Sequence, residues 1–143
     1  MFDQSALEKQ LQQMFQAYLH AFKNYDLAGV VQHYNVPSTL NTPDSIILIN
    51  NENECQNILS DILTQLKTAN IVEIIAKNPS YQVLTQEIVL VCIDWFFLDD
   101  TSEVFTDFSA VYHIAQVNST LKIVNVNSHE LSNSLSLTPF NLT

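Results

Sequence analysis

Three side chains in the second half of the chain could transfer protons: Asp94, Asp107 and His113. A neutral imidazole can accept a proton near neutral pH or donate a hydrogen bond to an oxyanion. Two carboxyl groups that lie close together raise the pKa of one of them, which supplies a base or a proton donor. The pattern predicts acid–base chemistry if these side chains face one pocket. Otherwise it predicts a structural histidine and two solvated carboxylates.

Nucleophilic and metal chemistry is poorly indicated. Ser109 shares a strand face with Asp107 and His113, but such triples arise often by chance. Cys55 and Cys92 match no metal-binding spacing, so we expect two reduced thiols. We therefore expect no metal and no other cofactor. The N-terminus shows no signal-peptide pattern, which predicts a cytoplasmic protein.

The first half of the chain has helical periodicity. Apolar residues recur at helical spacing from Ser5, where a capping box predicts the start of the first helix. Asp26 can cap a short second helix that reaches Tyr34. Either Asn51 or Asn53 can cap a third helix.

The second half of the chain has strand periodicity. Pro37 and Pro43 bracket an extended segment, and a short strand is predicted over 45–50. From Ile71 onward apolar residues alternate, which predicts an antiparallel meander. Helices followed by a meander predict an α+β fold with the helices on one face of the sheet. The whole chain, 1–143, is expected to form one domain with a C-terminal tail over 130–143. The meander strands are predicted over about 71–78, 83–98, 103–117 and 120–128.

Both faces of the predicted meander are apolar if its hairpins pair without bulges. The helices can cover only one face, and an apolar face of that size would aggregate in water. We therefore predict a symmetric homodimer through the second face. A single bulge would exchange the two faces locally. The face with the polar candidates carries Cys92, Asp94, Phe96, Phe105, Asp107, Ser109, Val111, His113, Val124, Val126 and Ser128.

The charge balance excludes several classes of partner. Five Lys and no Arg stand against fifteen Asp and Glu, which gives a formal net charge of −10. Nucleic acids and anionic membranes need clustered cations, so neither is an expected partner. The single glycine excludes glycine-rich nucleotide loops. A small molecule is the expected partner.

Two segments resemble the nuclear transport factor 2-like superfamily, which includes SnoaL-like cyclases, steroid delta-isomerases and scytalone dehydratases. Residues 17–34 resemble its helix–turn–Asp–helix opening. Residues 121–129 resemble its last strand, although Leu121 stands where tryptophan is usual. The resemblance implies a cone in which the helices and the concave sheet face enclose a pocket. It also implies a convex face that dimerises, and it places Val126 and Ser128 on the pocket side.

Matching the steroid isomerases gives mixed expectations for the site. Tyr18 falls on the oxyanion tyrosine, and His113 falls near the second oxyanion donor. Thr42, just before Pro43, stands where the isomerases have their general-base aspartate. Because threonine cannot abstract a carbon-bound proton at neutral pH, we do not expect steroid isomerisation by that route.

Three hypotheses for function follow, and whether the protein is an enzyme stays open. In the first, a mostly apolar pocket binds a small apolar or partly polar molecule. In the second, a cofactor-independent isomerase, cyclase or dehydratase uses His113, Asp94 or Asp107 for proton transfer. In the third, a dimeric structural protein has its pocket filled by Phe96 and Phe105. The predicted ligand contacts are Tyr18, Tyr34, Thr42, Cys92, Phe96, Ser109, His113, Val126 and Ser128.

Overall fold

The computed structural model describes residues 3–142, which form an α+β fold with three helices and one curved, open sheet. The seven strands lie in the order β2-β1-β6-β5-β4-β3-β7. Neighbouring strands are antiparallel except β1 and β6, which run parallel. The predicted fold class is confirmed. The helices are α1 (Gln4–Lys23), α2 (Leu27–Val31) and α3 (Glu52–Thr68), and the strands are β1 (Tyr34–Asn41), β2 (Ile46–Ile49), β3 (Ile71–Val83), β4 (Ile88–Asp99), β5 (Val104–Val117), β6 (Thr120–His129) and β7 (Thr138–Pro139).

The first helix begins earlier than predicted. Asp3 is its N-cap, because the Asp3 carboxylate accepts a hydrogen bond from the Ala6 amide at 3.0 Å. The predicted cap at Ser5 is therefore wrong, since Ser5 lies inside the first turn. A carboxylate at the N-terminus also interacts favourably with the helix dipole.

The other two helices have the predicted kinds of cap. Asp26 caps α2 and accepts from the amide of Gly29 at 3.1 Å. A Cβ on Gly29 would lie only 2.5 Å from Asp26 Oδ2, so this cap requires glycine. The second helix was predicted to reach Tyr34, but it ends at Val31, and Tyr34 is the first residue of β1. Asn51 is the cap of α3.

The strand between the third helix and β4 is longer than predicted. A bulge between Lys77 and Ser80 lets β3 continue to Val83. Asn78 in this bulge has a φ of 54°, a conformation that asparagine adopts more readily than most residues. The next strand begins at Ile88, not at 83 as predicted, because Thr85 forms a turn that accepts hydrogen bonds from two following amides.

A bulge between β5 and β6 reverses the predicted faces of two strands. His113 pairs with Asn125 and Ile114 pairs with Ile123, which leaves Val124 without a partner. Ile123 and Val126 are both buried as a result. In a hairpin without a bulge, the side chain of His113 would lie on the same face of the sheet as the pocket-facing residues of β6. The bulge shifts the register by one residue, so the side chains of β4 and β5 that were predicted to face the pocket lie on the opposite face.

The concave face of the sheet packs against α1 and α3. These helices contribute Leu11, Phe15 and Leu59, each no more than 1% exposed. Val91 and Ile93 of β4 are fully buried below them. The core therefore lies on one side of the sheet, between the helices and the strands.

The C-terminal tail crosses the other face, which we call the outer face. After β6 a short 3₁₀ helix over Leu131–Asn133 leads to Ser134, whose hydroxyl donates to Asp94 Oδ1 at 2.7 Å. At the edge of the sheet the tail pairs with β3, and Phe140 packs on the helix side against Tyr81, with ring centroids 5.9 Å apart. Part of the outer face is thus covered by the chain itself. Within residues 3–142, no helix combines the length and the hydropathy needed to cross a membrane.

Candidate functional site

A cavity of about 510 Å³ lies between the helices and the concave face of the sheet. Aromatic and aliphatic side chains form most of its wall. Helix α1 contributes Tyr18, Leu19 and Phe22, and α3 contributes Leu59, Ile62, Gln65 and Leu66. The sheet and its preceding loops supply the remaining wall: Tyr34, Leu40, Thr42, Pro43, Ile74, Trp95, Phe97, Phe105, Thr106, Phe108, Tyr112, Val126 and Ser128.

Three tyrosine hydroxyls and one indole form the aromatic polar groups of this wall, beside the side chains of Thr42, Gln65, Thr106 and Ser128. The hydroxyl oxygens of Tyr18 and Tyr34 lie 2.7 Å apart, and Trp95 Nε1 donates to the Tyr112 hydroxyl at 2.9 Å. Tyr18 and Tyr112 also pack edge to face. Burial raises the pKa of the Tyr18, Tyr34 and Tyr112 hydroxyls. They therefore stay protonated, so they can donate hydrogen bonds but cannot serve as bases at neutral pH.

The cavity wall contains no carboxylate, imidazole or lysine among the described residues. Within the same part of the chain, no cluster of three His, Cys, Asp or Glu side chains could hold a metal ion. The site can therefore offer apolar contact and hydrogen bonds from hydroxyl groups, the Trp95 indole and the Gln65 carboxamide. It offers no fixed charge.

Five of the predicted ligand contacts lie in the cavity wall: Tyr18, Tyr34, Thr42, Val126 and Ser128. Tyr18 reaches it from the buried face of α1, as expected from helical spacing. Val126 and Ser128 point inward from β6, as the resemblance implied. Their contact with a ligand stays a prediction.

The remaining candidates lie on the outer face, so their predicted orientation toward the pocket is wrong. Asp94 is 6% exposed and is held by Ser134 and by Asn78 Nδ2, the latter at 3.0 Å. The Cys92 thiol lies 3.4 Å from the Ser109 hydroxyl, and both side chains are fully buried. These groups are therefore turned away from the cavity and buried near the tail.

Phe96, Asp107 and His113 complete the outer group. The Phe96 ring lies 4.5 Å from Lys77 Nζ, and Asp107 is exposed. His113 is half-buried beside Asn125, and no described residue forms a hydrogen bond with its buried Nδ1 atom. Asp94, Asp107 and His113 do not form a common acid–base site facing the cavity.

Sequence reasoning missed four aromatic residues that dominate the cavity wall. Trp95 and Phe97 alternate along β4, and Phe108 and Tyr112 share a face of β5. The periodicity placed all four together on one face. It did not indicate that this face is the concave one, because that depends on the unpaired residue in β6.

The comparisons with known proteins agree with this architecture. The sequence matches the family described as NTF2-like protein (DUF6841) over residues 8–131. A comparison with curated proteins finds no match. An NTF2-like protein of unknown function from Shewanella oneidensis superposes with a TM-score of 0.70 at 13% identity, covering 85% of this chain and 98% of that one.

Two further solved structures share the fold. A candidate dehydratase of the NTF2-like family from Streptomyces avermitilis has a TM-score of 0.71 at 12% identity, covering 90% of this chain and 99% of that one. A domain of unknown function with a cystatin-like fold from Nostoc punctiforme has a TM-score of 0.71 at 9% identity, covering 90% of this chain and 76% of that one. Identities this low show a common fold alone. The family match spans most of the chain, and the protein therefore belongs to the NTF2-like family DUF6841.

Proposed function

We propose that this protein binds a small, neutral and predominantly apolar molecule in the cavity. The supporting observation is an aromatic and aliphatic wall that contains buried hydroxyls and, in the part of the chain that the structure describes, no charged side chain. The volume of about 510 Å³ falls in the range of small-molecule sites. Aromatic walls favour a ligand with a rigid or cyclic apolar body.

The tyrosine hydroxyls supply specificity within this apolar wall. Hydrogen bonds of Tyr18 with Tyr34 and with Tyr112 use two of the three hydroxyl protons, so the cluster can donate the remaining one to a ligand. Because burial keeps the three groups protonated, the matching ligand atom is an acceptor such as a carbonyl oxygen. An anionic ligand would lose its hydration here without gaining a cationic partner.

The alternative functions have weaker support. An isomerase, cyclase or dehydratase that relies on Asp94, Asp107 or His113 would need these groups at the cavity, and they lie on the outer face. The hypothesis of a pocket filled by aromatic side chains is opposed by the volume of the cavity. Binding is therefore the function that we propose.

The proposal includes the cytoplasm as the location of the protein. Cys55 and Cys92 are buried, unpaired thiols, as is usual in a reducing compartment. The proposal also includes a homodimer that forms through the outer face. Ile46 and Leu48 of β2 are exposed apolar residues on this face.

Energy transfer from tryptophan to the neutral fluorophore prodan tests the binding function. Trp95 is the single tryptophan and lies in the cavity wall, so transfer reports a probe bound there. We expect saturable transfer in the wild type. Val126→Phe should fill part of the cavity and weaken prodan binding about tenfold, at a modest cost in stability.

Val72→Phe is the matched control, because Val72 is 66% exposed on β3 and does not line the cavity. It should leave the prodan affinity unchanged. Native mass spectrometry of freshly purified protein then shows whether a copurified molecule departs on denaturation. Absence of saturable transfer, or equal affinity in all three proteins, would contradict the proposed function.

A further inference from the structure

A second cleft, of about 460 Å³, opens beside the cavity where strands β1 and β6 end. Because β1 and β6 run parallel, their last residues, Asn41 and His129, lie at the same end of the sheet. The cavity and this cleft share Thr42, Pro43 and Ser128 in their walls. A molecule that occupies the cavity can therefore extend past these three residues into the second cleft, which we call the rim cleft.

The rim cleft is polar, in contrast to the cavity. Every residue that lines it except Pro43 carries a polar side chain. Asn127, Glu130 and Asn133 join the shared residues in its wall. The imidazole Nε2 of His129 lies 3.1 Å from the backbone oxygen of Asn133, which ties the turn after β6 to the end of the strand.

One residue that lines the rim cleft has a hydrogen-bond acceptor for which the described residues supply no donor. Asn41 Nδ2 donates to Asn127 Oδ1 at 2.8 Å, and Asn127 Nδ2 donates to Asn125 Oδ1 at 2.8 Å. Asn125 Nδ2 donates to the Thr39 hydroxyl, so the bonds of this row all run in one direction. Asn41 Oδ1 is left buried without a partner among residues 3–142. Because a buried amide oxygen without a donor is costly, a turn of the Asn41 side chain that brings this oxygen to the rim cleft would let it accept from a ligand.

The charges around the rim cleft disfavour an anion. Among the described residues, no lysine lines either the cavity or the rim cleft. The Glu130 side chain is the one carboxylate in its wall, and the whole chain carries a formal net charge of −10. A negatively charged group would be repelled here both locally and by the protein as a whole.

We infer that the ligand is amphipathic, with an apolar body in the cavity and a head group in the rim cleft that donates hydrogen bonds and carries no negative charge. A primary amide has this chemistry. The inference rests on the proposed function, because the body of the ligand must occupy the cavity. It adds the polarity, hydrogen-bonding direction and charge of the head group.

Three ten-carbon probes that differ in their heads test this inference by competition with prodan. Decanamide offers N–H donors, methyl decanoate offers only acceptors, and decanoate is an anion. In the wild type we expect decanamide to bind about tenfold more tightly than decanoate. Asn41→Val removes the acceptor and should weaken decanamide about fivefold while leaving methyl decanoate unchanged.

Asn125→Val is the matched control for this variant. Asn125 belongs to the same row of carboxamides but does not line the rim cleft. Its replacement should leave the decanamide affinity unchanged. Equal weakening of decanamide by Asn41→Val and Asn125→Val would show a structural effect and overturn the inference.

A second pair of variants tests the charge of the head group. Glu130→Gln should strengthen decanoate binding about threefold and leave decanamide unchanged. Glu87→Gln, in the exposed loop before β4, should alter neither. If prodan binds but the three heads bind equally, the inference is wrong and the proposed function stands. If neither prodan nor any ten-carbon probe binds, the proposed function itself fails, and the inference with it.

Discussion

The hydroxyl oxygens of Tyr18 and Tyr34 lie 2.7 Å apart inside the protein. Tyr18 belongs to α1, and Tyr34 begins β1 at the far side of the cavity wall. Both side chains are no more than 8% exposed, so each hydroxyl forms its hydrogen bond with the other instead of with water. This bond therefore ties the first helix to the sheet at the site where we propose that the ligand binds.

The bond predicts a specific pattern of stability. Tyr34→Phe removes one partner and leaves the Tyr18 hydroxyl less well satisfied, which should lower the free energy of unfolding by about 1–3 kcal/mol. The double variant Tyr18→Phe/Tyr34→Phe should lose less than the sum of the single losses, because it removes both groups. Urea unfolding of the four proteins measures this difference.

Tyr81 provides the control for this cycle. Its hydroxyl donates to Glu8 at 2.7 Å and does not belong to the tyrosine cluster of the cavity. Tyr81→Phe combined with Tyr34→Phe should therefore show additive losses. Additivity in the Tyr18 and Tyr34 cycle as well would contradict an energetic coupling between these hydroxyls.

The sequence allowed prediction of the elements but not of the side from which the helices cover the sheet. Helical spacing identified the buried face of α1, and the change to alternating residues identified the meander. The orientation of β4 and β5 depended on Val124, which a bulge leaves unpaired. A bulge of this kind leaves the hydrophobic alternation of the neighbouring strands unchanged, so nothing in their sequences reveals it.

The site was predictable to the same extent. Residues whose position follows from a helix or from the start and end of β1 and β6, such as Tyr18 and Ser128, lie in the cavity wall. Residues whose position follows from the β5–β6 pairing, such as His113, lie on the opposite face. The tail that covers Asp94 could not be predicted, because its contacts are with residues distant in sequence.

The corrected orientation predicts opposite outcomes for two neighbouring residues of β4. Val91 is fully buried against the helices, so Val91→Lys should abolish folding, which is measured as loss of soluble protein. Leu90 is half-buried on the outer face beside His113, and Leu90→Lys should remain folded. Insoluble Leu90→Lys together with soluble Val91→Lys would show that the faces are the other way round.

The predicted homodimer can be tested on the same face. Ile46 is 79% exposed and Leu48 is 56% exposed on β2 at the edge of the sheet. If the outer face pairs two copies, Ile46→Lys/Leu48→Lys should convert a dimer to a monomer without unfolding it. Light scattering coupled to size-exclusion chromatography measures the mass. Lys substitution of the similarly exposed Val72 is the control, and a dimer that survives the double substitution excludes β2 from the interface.

Ser134 is expected to hold the C-terminal tail on the outer face. Its hydroxyl donates to Asp94 Oδ1, and six residues later the amide of Phe140 donates to the Pro79 oxygen at 3.1 Å. Ser134→Ala should weaken this attachment by about 1–2 kcal/mol and speed hydrogen exchange at Phe140. Ser136→Ala, at an exposed position of the same tail, should not change the exchange rate. Unaltered exchange in Ser134→Ala would mean that the packing of Phe140 and the pairing of β7 with β3 anchor the tail without Ser134.

His33 predicts a loss of stability at mildly acidic pH. Its Nε2 atom is buried without a hydrogen-bond partner among residues 3–142, and its ring packs against Tyr18 with centroids 5.7 Å apart. Burial, and then the nearby Lys122, lower the pKa of His33 from its usual value of 6.5. Below pH 6.5 the unfolded chain therefore binds a proton that the folded chain excludes, so stability falls with pH; well above 6.5 the histidine contributes nothing.

Thermal unfolding at pH 7.5 and 5.5 measures this effect. His33→Gln should reduce the fall in Tm between the two pH values, because glutamine does not titrate. His20→Gln is the control, since His20 is exposed on α1. An equal fall in Tm for His33→Gln and the wild type would assign the acid sensitivity to other groups. A smaller fall in His33→Gln alone would show that the half-buried imidazole of His33, which packs against Tyr18, makes the folded protein sensitive to acid.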